Sequence, residues 1–295
     1  MTGDAARTIR LADRRQLGYA DLGDAAGTPV VWCHGGLSSR LEVAPAETVA
    51  RALGIRLVAP DRPGVGRSDR QLRRTLLDWP TDVVELTAAL GIDRFAVVGW
   101  SLGGPFATAC AYALPDRVTT LGLIAPCIPR NWDGMVDGLS WVDRRFLRET
   151  RSGRAASQLA LAGMRLTAAH APRAFIRAAK HGLSPLARAP LEEGGGKWFA
   201  AAIAEGLRDS SGVLDEYRIM GSPWGFDPAD VVVSTRIWQG DEDTLVPPTW
   251  SERLSAVIPG STLTIVPGEG HFLANAHWAE ILGAALLPPV ELEFG

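Results

Sequence analysis

The chain has 295 residues, 46% of them hydrophobic and 21% charged, which is typical of a soluble globular protein with an ample core. Its formal net charge of −3 leaves no basic excess, so neither nucleic acid nor an anionic membrane is expected as a partner. No apolar run has the length of a membrane span, and the first residues lack a signal-peptide core. The three cysteines lie in apolar surroundings without metal-ligand spacing, which favours buried free thiols, no metal site and a cytoplasmic location.

Short apolar runs alternate with helical stretches in the first part of the chain. Strands are predicted at 8–11, 15–22, 29–33 and 56–59, and helices at 44–53 and 80–90. The glycine-punctuated stretch 61–68 is interpreted as a turn without a catalytic role. This alternation predicts an α/β protein with a mostly parallel central sheet flanked by helices on both faces.

The stretch 94–104 is organised around a serine. A strand pattern runs into Gly99-Trp-Ser-Leu-Gly103, and an alanine-rich helix is predicted at 105–114. A strand, a sharp turn and a helix form the context in which a G-x-S-x-G match indicates a nucleophile elbow rather than a chance turn. Ser101 is therefore the candidate nucleophile. The N–H of Leu102 is a candidate oxyanion donor, because the helix that follows directs its positive end at the serine.

The strand pattern stops after a predicted strand at 118–124. From 130 to 224 no buried strand pattern occurs, and helices are predicted at 139–150, 155–166, 174–180 and 197–208. Strands return at 234–238 and 261–266, with helices at 248–257 and 275–286. We therefore predict an α-helical cap at 130–225, called the cap segment below, inserted into a core made of 1–129 and 226–295.

A serine nucleophile needs a base within hydrogen-bond reach. Of the five histidines, His271 is the best candidate, because it follows a predicted strand in a glycine-rich loop, where active sites of open α/β sheets collect. A loop histidine without a role is the alternative. A carboxylate must orient this base, and the competing acids are Asp241, Glu242, Asp243 and Glu269.

Five motifs follow one another along the chain. They are His34-Gly-Gly36, Asp61-Arg-Pro-Gly-Val-Gly-Arg-Ser68, the serine motif, Gly240-Asp-Glu-Asp-Thr-Leu-Val-Pro247 and Gly268-Glu-Gly-His-Phe272. In order and spacing they resemble the α/β-hydrolase fold superfamily, in its serine-nucleophile branch of carboxylesterases, lipases and haloperoxidase-like enzymes with a helical cap. The resemblance extends from about Thr8 to Leu286.

The resemblance implies further roles. The family's acid stands three residues before the valine of the Val-Pro unit, which selects Asp243. No acid occupies 125–129, where some relatives carry theirs. The second oxyanion donor is implied to be the N–H of Gly36, with an ordinary tight turn as the alternative for this glycine motif. Chemistry without a cofactor is also implied.

The substrate pocket has weaker signals. His34 and Gly35 in the glycine motif, Trp100 at the elbow, and Trp132 and Trp141 in the cap segment are candidates to line an apolar pocket. For each tryptophan taken alone, packing in the core is the alternative.

The expected function is cofactor-free hydrolysis of a carboxylic ester, such as a methyl ester, lactone or thioester, of a small to medium apolar molecule. A serine at the elbow argues against dehalogenase and epoxide hydrolase chemistry, which use a carboxylate nucleophile. Carbon–carbon bond hydrolases, proline iminopeptidases and haloperoxidase-like enzymes share the triad, and a non-catalytic ligand-binding protein is the further alternative. The expected partner is a small-molecule substrate, and the expected state is a monomer or homodimer.

Overall fold

The structure is a computed structural model that describes residues 7–152, 154–181, 183, 185–192 and 196–287. Its strands are β1 (Arg7–Arg10), β2 (Gln16–Gly23), β3 (Thr28–Cys33), β4 (Ile55–Pro60), β5 (Phe95–Trp100), β6 (Val118–Ile124), β7 (Thr235–Gly240) and β8 (Thr262–Val266). They form one sheet in the order β1-β2-β4-β3-β5-β6-β7-β8. The β1–β2 and β2–β4 pairs are antiparallel, and the other neighbours are parallel.

This mostly parallel sheet confirms the predicted fold class. Each predicted strand is found, with its ends displaced by no more than a few residues. Every residue of β5 is buried, which explains why its sequence is a continuous apolar run and not an alternating one. Because β5, β6, β7 and β8 are all parallel, the carboxyl ends of β5, β7 and β8 lie at the same edge of the sheet.

The helices outside the cap segment are α1 (Glu47–Ala52), α2 (Trp79–Ala89), α3 (Gly103–Ala113), α11 (Pro248–Val257) and α12 (Ala274–Ala284). Helix α2 has Pro80 in its first turn, where no N–H is needed, and ends before Gly91, whose φ is 68°. Helix α1 begins later than predicted, because the residues before it, including Pro45, form a 3-10 helix at Arg40–Ala46.

The helices of the cap segment are α4 (Met135–Gly138), α5 (Trp141–Ser152), α6 (Arg154–His170), α7 (Pro172–Ala179), α8 (Pro185–Glu192), α9 (Lys197–Gly206) and α10 (Ser210–Met220). The described residues of 130–225 contain no strand. Helix α10 was not among the predicted helices, and its N-cap is Asp209, whose carboxylate accepts the Ser211 N–H. The division into core and cap stays a prediction, and its ends at 1–6 and 288–295 lie outside the described residues.

Aromatic side chains fill the space between the sheet and its helices. Trp32 is fully buried and packs on Trp278 with ring centroids 5.2 Å apart. Trp79 of α2 meets Phe106 of α3 edge to face, with ring centroids 6.3 Å apart. Of the helices that the described residues form, none combines the length and apolar character needed to cross a membrane.

Two glycines of the cap segment bring backbone against backbone. A Cβ on Gly206 would lie 2.2 Å from the carbonyl oxygen of Ser38, and one on Gly212 would lie 1.9 Å from that of Gly64. Side chains do not fit at such distances, so glycine is needed at both positions. Helices α9 and α10 are thereby seated directly on the loops that follow β3 and β4.

Candidate active site

Ser101 lies in a strained turn between β5 and α3. Its φ is 54°, which is uncommon for a residue with a side chain and costs of order 1–3 kcal/mol. The turn is tight because a Cβ on Gly99 would lie 2.4 Å from the Gly103 carbonyl oxygen, and one on Gly103 would lie 2.0 Å from that of Cys33. Both glycines of the motif are therefore required for the backbone to close around the serine.

His271 and Asp243 form a hydrogen-bonded pair. Nδ1 of His271 lies 2.8 Å from Oδ2 of Asp243, whose side chain is fully buried. The other carboxylate oxygen, Oδ1, accepts the N–H groups of Leu245 at 2.8 Å and Val246 at 2.9 Å. The Gln239 amide donates to Oδ2 at 3.2 Å. Four donors thus hold the acid, and sequence reasoning missed Gln239, since a glutamine at a strand end carries no motif.

The surroundings of His271 favour its protonated form. Burial is the largest single influence and lowers the pKa of this histidine, but the charge and hydrogen bond of Asp243 oppose it. The negative charges of Asp143 and Glu42 act in the same direction, and together these groups raise the His271 pKa above its ordinary value. Asp143 belongs to α5, so a charge of the cap segment acts on this site.

The competing acids have other partners. The Asp241 carboxylate accepts the Gly268 N–H at 2.7 Å and so joins the loop after β7 to the loop after β8. The Glu242 N–H donates to the Glu269 carbonyl at 2.9 Å, and the Glu269 carboxylate lies 3.6 Å from His277. Among the described residues, Asp243 is the acid that the structure brings to His271.

The glycine motif lies beside the serine turn. A Cβ on Gly36 would lie 3.5 Å from Cβ of Leu102, and one on Gly35 would lie 3.8 Å from Cβ of Ser101. In the described part of the chain, neither the Gly36 nor the Leu102 N–H donates to a protein acceptor. Leu102 is the N-cap of α3, where backbone N–H groups and the helix dipole favour a negative charge.

A buried carboxylate supports the glycine motif. Both oxygens of Glu42 accept the Gly35 N–H, at 3.0 and 3.1 Å, and one of them also accepts the indole N–H of Trp32 at 2.9 Å. Burial raises the pKa of Glu42, although these hydrogen bonds oppose the shift. No local signal in the sequence pointed to this residue.

The remaining pocket candidates have the following places. His34 is buried, with Nδ1 at 2.9 Å from the Gly35 carbonyl oxygen. The ring of Trp100 is buried beside those of His271 and Phe272, with centroids 6.1 and 5.8 Å away. Trp132 is half-buried, with the Arg253 guanidinium 5.0 Å above its ring. Trp141 is the first residue of α5, and its side chain lies outside the described part of the structure.

The chain is similar in sequence to a known protein family and to parts of individual proteins. Residues 28–274 match the model of a family described as the alpha/beta hydrolase fold. The chain is 32% identical over 106 residues to a protein named uncharacterized hydrolase YcgS from Bacillus subtilis (strain 168). It is 30% identical over 117 residues to a proline iminopeptidase from Heyndrickxia coagulans. Each stretch spans 36% of this chain and only 37% of the relative's length.

A solved structure covers far more of the chain. The esterase EaEST from Exiguobacterium antarcticum superposes with a TM-score of 0.68 over 95% of this chain and 98% of its own, at 19% sequence identity. At that identity the likeness concerns the fold.

Proposed function

Since this chain belongs to the α/β-hydrolase fold family, we propose that it is a serine hydrolase that cleaves a carboxylic ester through an acyl-enzyme. The observation that carries the proposal is that a strained serine turn follows β5, a buried His271–Asp243 pair lies in the loops after β7 and β8, and the Trp100 indole N–H links the two by donating to the His271 carbonyl at 3.0 Å. A reactive serine, a base and an acid in the chain order Ser, Asp, His are what acyl transfer requires.

In the first step, Oγ of Ser101 attacks the ester carbonyl carbon while Nε2 of His271 accepts the hydroxyl proton. Asp243 accepts the hydrogen bond of Nδ1–H, so the lone pair of the imidazole lies on Nε2. The buried carboxylate also stabilises the imidazolium that forms. The raised pKa of His271 is in keeping with a base that must take up a proton during the reaction.

The tetrahedral intermediate places a negative charge on the former carbonyl oxygen. The N–H groups of Gly36 and Leu102 are the proposed donors to this oxygen, and loss of one such donor costs roughly 10²–10³-fold in rate in other enzymes. The intermediate collapses when the alcohol leaves with the proton from His271. Water, deprotonated by His271, then attacks the acyl-enzyme, and the acid is released as the proton returns to Ser101.

A second candidate is cleavage of the peptide bond that follows an amino-terminal proline. It is favoured by the 30% identity to a proline iminopeptidase, although the matched stretch is only 37% of that protein. The same three residues would act, with an amine in place of the alcohol as leaving group. Substrate choice between the two reactions would lie with residues outside the triad.

Two measurements test the proposal. A fluorophosphonate probe labels only an activated serine, so we expect it to modify the wild-type protein at Ser101 and to leave Ser101→Ala unlabelled. A panel of p-nitrophenyl esters of increasing acyl length, assayed beside lactones and proline p-nitroanilide, then separates the two candidates. Labelling at another serine, or an active Ser101→Ala variant, would refute the assignment, and turnover of the anilide alone would favour the peptidase.

A further inference from the structure

The peptide that joins Gly35 and Gly36 is held by its carbonyl group. The Gly35 carbonyl oxygen accepts hydrogen bonds from Nη2 of Arg62 at 3.1 Å and from Nδ1 of His34 at 2.9 Å. This peptide is trans, as are the others described, so the Gly36 N–H points opposite to that carbonyl. Whatever fixes the carbonyl therefore also fixes the direction of the Gly36 N–H.

The guanidinium of Arg62 has little freedom. Nη1 donates to the carbonyl of His34, and Nε and Nη2 donate to the two carboxylate oxygens of Glu216 on α10, the second at 3.1 Å. The group also lies 4.5 Å above the ring of Phe106. The side chains of Arg62 and Glu216 are 0% and 1% exposed. A planar fork held on both sides can orient a peptide in a way that a flexible ammonium cannot.

His34 contributes the second donor through Nδ1–H, which requires the Nδ1 tautomer when the ring is neutral. Burial and the nearby charge of Arg62 hold the pKa of His34 well below its ordinary value. The Arg62 backbone N–H lies 3.4 Å from Nε2, so the proton of the neutral ring is assigned to Nδ1, which faces Gly35.

We propose that Arg62 is a positioning residue that aims the Gly36 N–H at the oxyanion, with Glu216 of the cap segment holding Arg62 in place. This inference rests on the proposed serine hydrolase function. It means that α10 contributes to the oxyanion hole without touching the reacting atoms. The rival explanation is that Arg62 only ties α10 to the core.

A neighbouring pair provides the matched control for that rival. Arg70 donates through Nε and Nη2 to the carboxylate of Asp215, the residue before Glu216, with the second contact at 2.9 Å. Like Arg62, it joins a core loop to α10, but its described hydrogen bonds do not reach the glycine motif. If these arginines only tie α10 to the core, replacing either of them should change kcat and KM to the same extent.

The primary test compares Arg62→Lys with Arg70→Lys. Lysine keeps the charge beside the carboxylate but cannot bridge the carboxylate and the Gly35 carbonyl with one planar group. For Arg62→Lys we expect kcat to fall about 10²-fold with KM nearly unchanged, as for loss of one oxyanion donor. Binding of an aryl trifluoromethyl ketone, whose adduct with Ser101 carries an oxyanion, should weaken by about the same factor. Arg70→Lys should leave all three quantities nearly unchanged.

Equal losses of kcat in the two variants, or a rise in KM with kcat unchanged, would overturn the inference. If Arg62→Lys does not fold by circular dichroism, Glu216→Gln replaces it, with Asp215→Asn as its control. We then expect about a tenfold loss of kcat in Glu216→Gln, the size of one weakened charge-assisted hydrogen bond, and an unchanged kcat would overturn the inference. A wild-type protein that the fluorophosphonate probe leaves unmodified would refute the proposed function itself, whereas a labelled, active wild type with no Arg62 effect refutes only the positioning role.

Discussion

The indole N–H of Trp100 donates to the carbonyl oxygen of His271 at 3.0 Å. The residue before the candidate nucleophile thus holds the backbone of the candidate base, although 171 positions separate them in the sequence. The serine turn and the histidine loop are therefore joined directly, and not only through the sheet.

Trp100→Phe tests this link. Phenylalanine keeps an aromatic ring but is smaller and has no N–H, so a cavity forms and the buried carbonyl of His271 loses its donor. We expect the lost donor alone to lower the free energy of unfolding by about 1–3 kcal/mol. Because the histidine loop is loosened, kcat should also fall. Trp278→Phe is the matched control, since that buried indole N–H has no acceptor in the described part of the chain. Urea unfolding and ester turnover of both variants decide the matter, and equal effects on kcat would contradict the link.

The orienting acid can be identified by paired substitutions. In Asp243→Asn the His271 ring would be held in the wrong tautomer, and the analogous change in a serine protease costs ~10⁴-fold in kcat, or roughly 5 kcal/mol. Asp241→Asn keeps an oxygen that can accept the Gly268 N–H but removes the charge that strengthens this hydrogen bond, so it should mainly lower stability. Measuring kcat/KM of both variants on one activated ester separates them. A crippled Asp241→Asn beside an active Asp243→Asn would reverse the assignment.

The pH profile should follow His271. The base must be neutral to act, and its pKa is raised from 6.5, so kcat/KM should fall on the acid side with a midpoint above pH 6.5. The pH dependence of folding stability has the opposite direction to that of kcat/KM. Because the folded pKa is raised, the stability from the protonated pair is full below the unfolded pKa and is lost as pH rises through the folded pKa.

The carboxylate of Asp143, in the cap segment, provides a control for this pH profile. Asp143 raises the His271 pKa, so Asp143→Asn should move the acid limb of kcat/KM to lower pH, while Asp241→Asn should leave it in place. An acid limb below pH 6.5 in the wild type, or one unmoved in Asp143→Asn, would contradict the electrostatic account.

The serine turn depends on glycine in a measurable way. In Gly103→Ala the new Cβ would meet the Cys33 carbonyl oxygen at 2.0 Å, so backbone must shift and we expect a loss of about 3 kcal/mol or more. Gly283→Ala, in α12, has open space around its Cβ and should stabilise by about 0.5–1 kcal/mol. Chemical denaturation of both variants provides the comparison. A stable, active Gly103→Ala protein would show that the turn is not as tight as described.

Local features of the sequence were enough for the sheet and the serine turn, because strand patterning and the glycine motif act over a few neighbouring residues. The oxyanion surroundings were not predictable in the same way. Arg62 was interpreted as part of a turn, yet its carboxylate partner Glu216 lies 154 positions further along the chain. Hydrogen bonds between a core loop and a helix of the cap segment depend on the folded arrangement, and no spacing rule encodes them.

The backbone contact between Gly64 and Gly212 limits which helices of this chain can be exchanged for those of a related enzyme. A chimaera that grafts foreign helices at 197–220 would bring side chains to a place where only bare peptide fits. Helices α4 to α8 precede this junction, but α5 and α6 pack against α10, α6 and α7 pack against α9, and the Tyr217 hydroxyl donates to the Asp143 carboxylate at 2.6 Å. A library that varies 130–192 should therefore retain α9 and α10 together with the residues of α5 to α7 that face them, so that the loops that follow β3 and β4 keep their contacts.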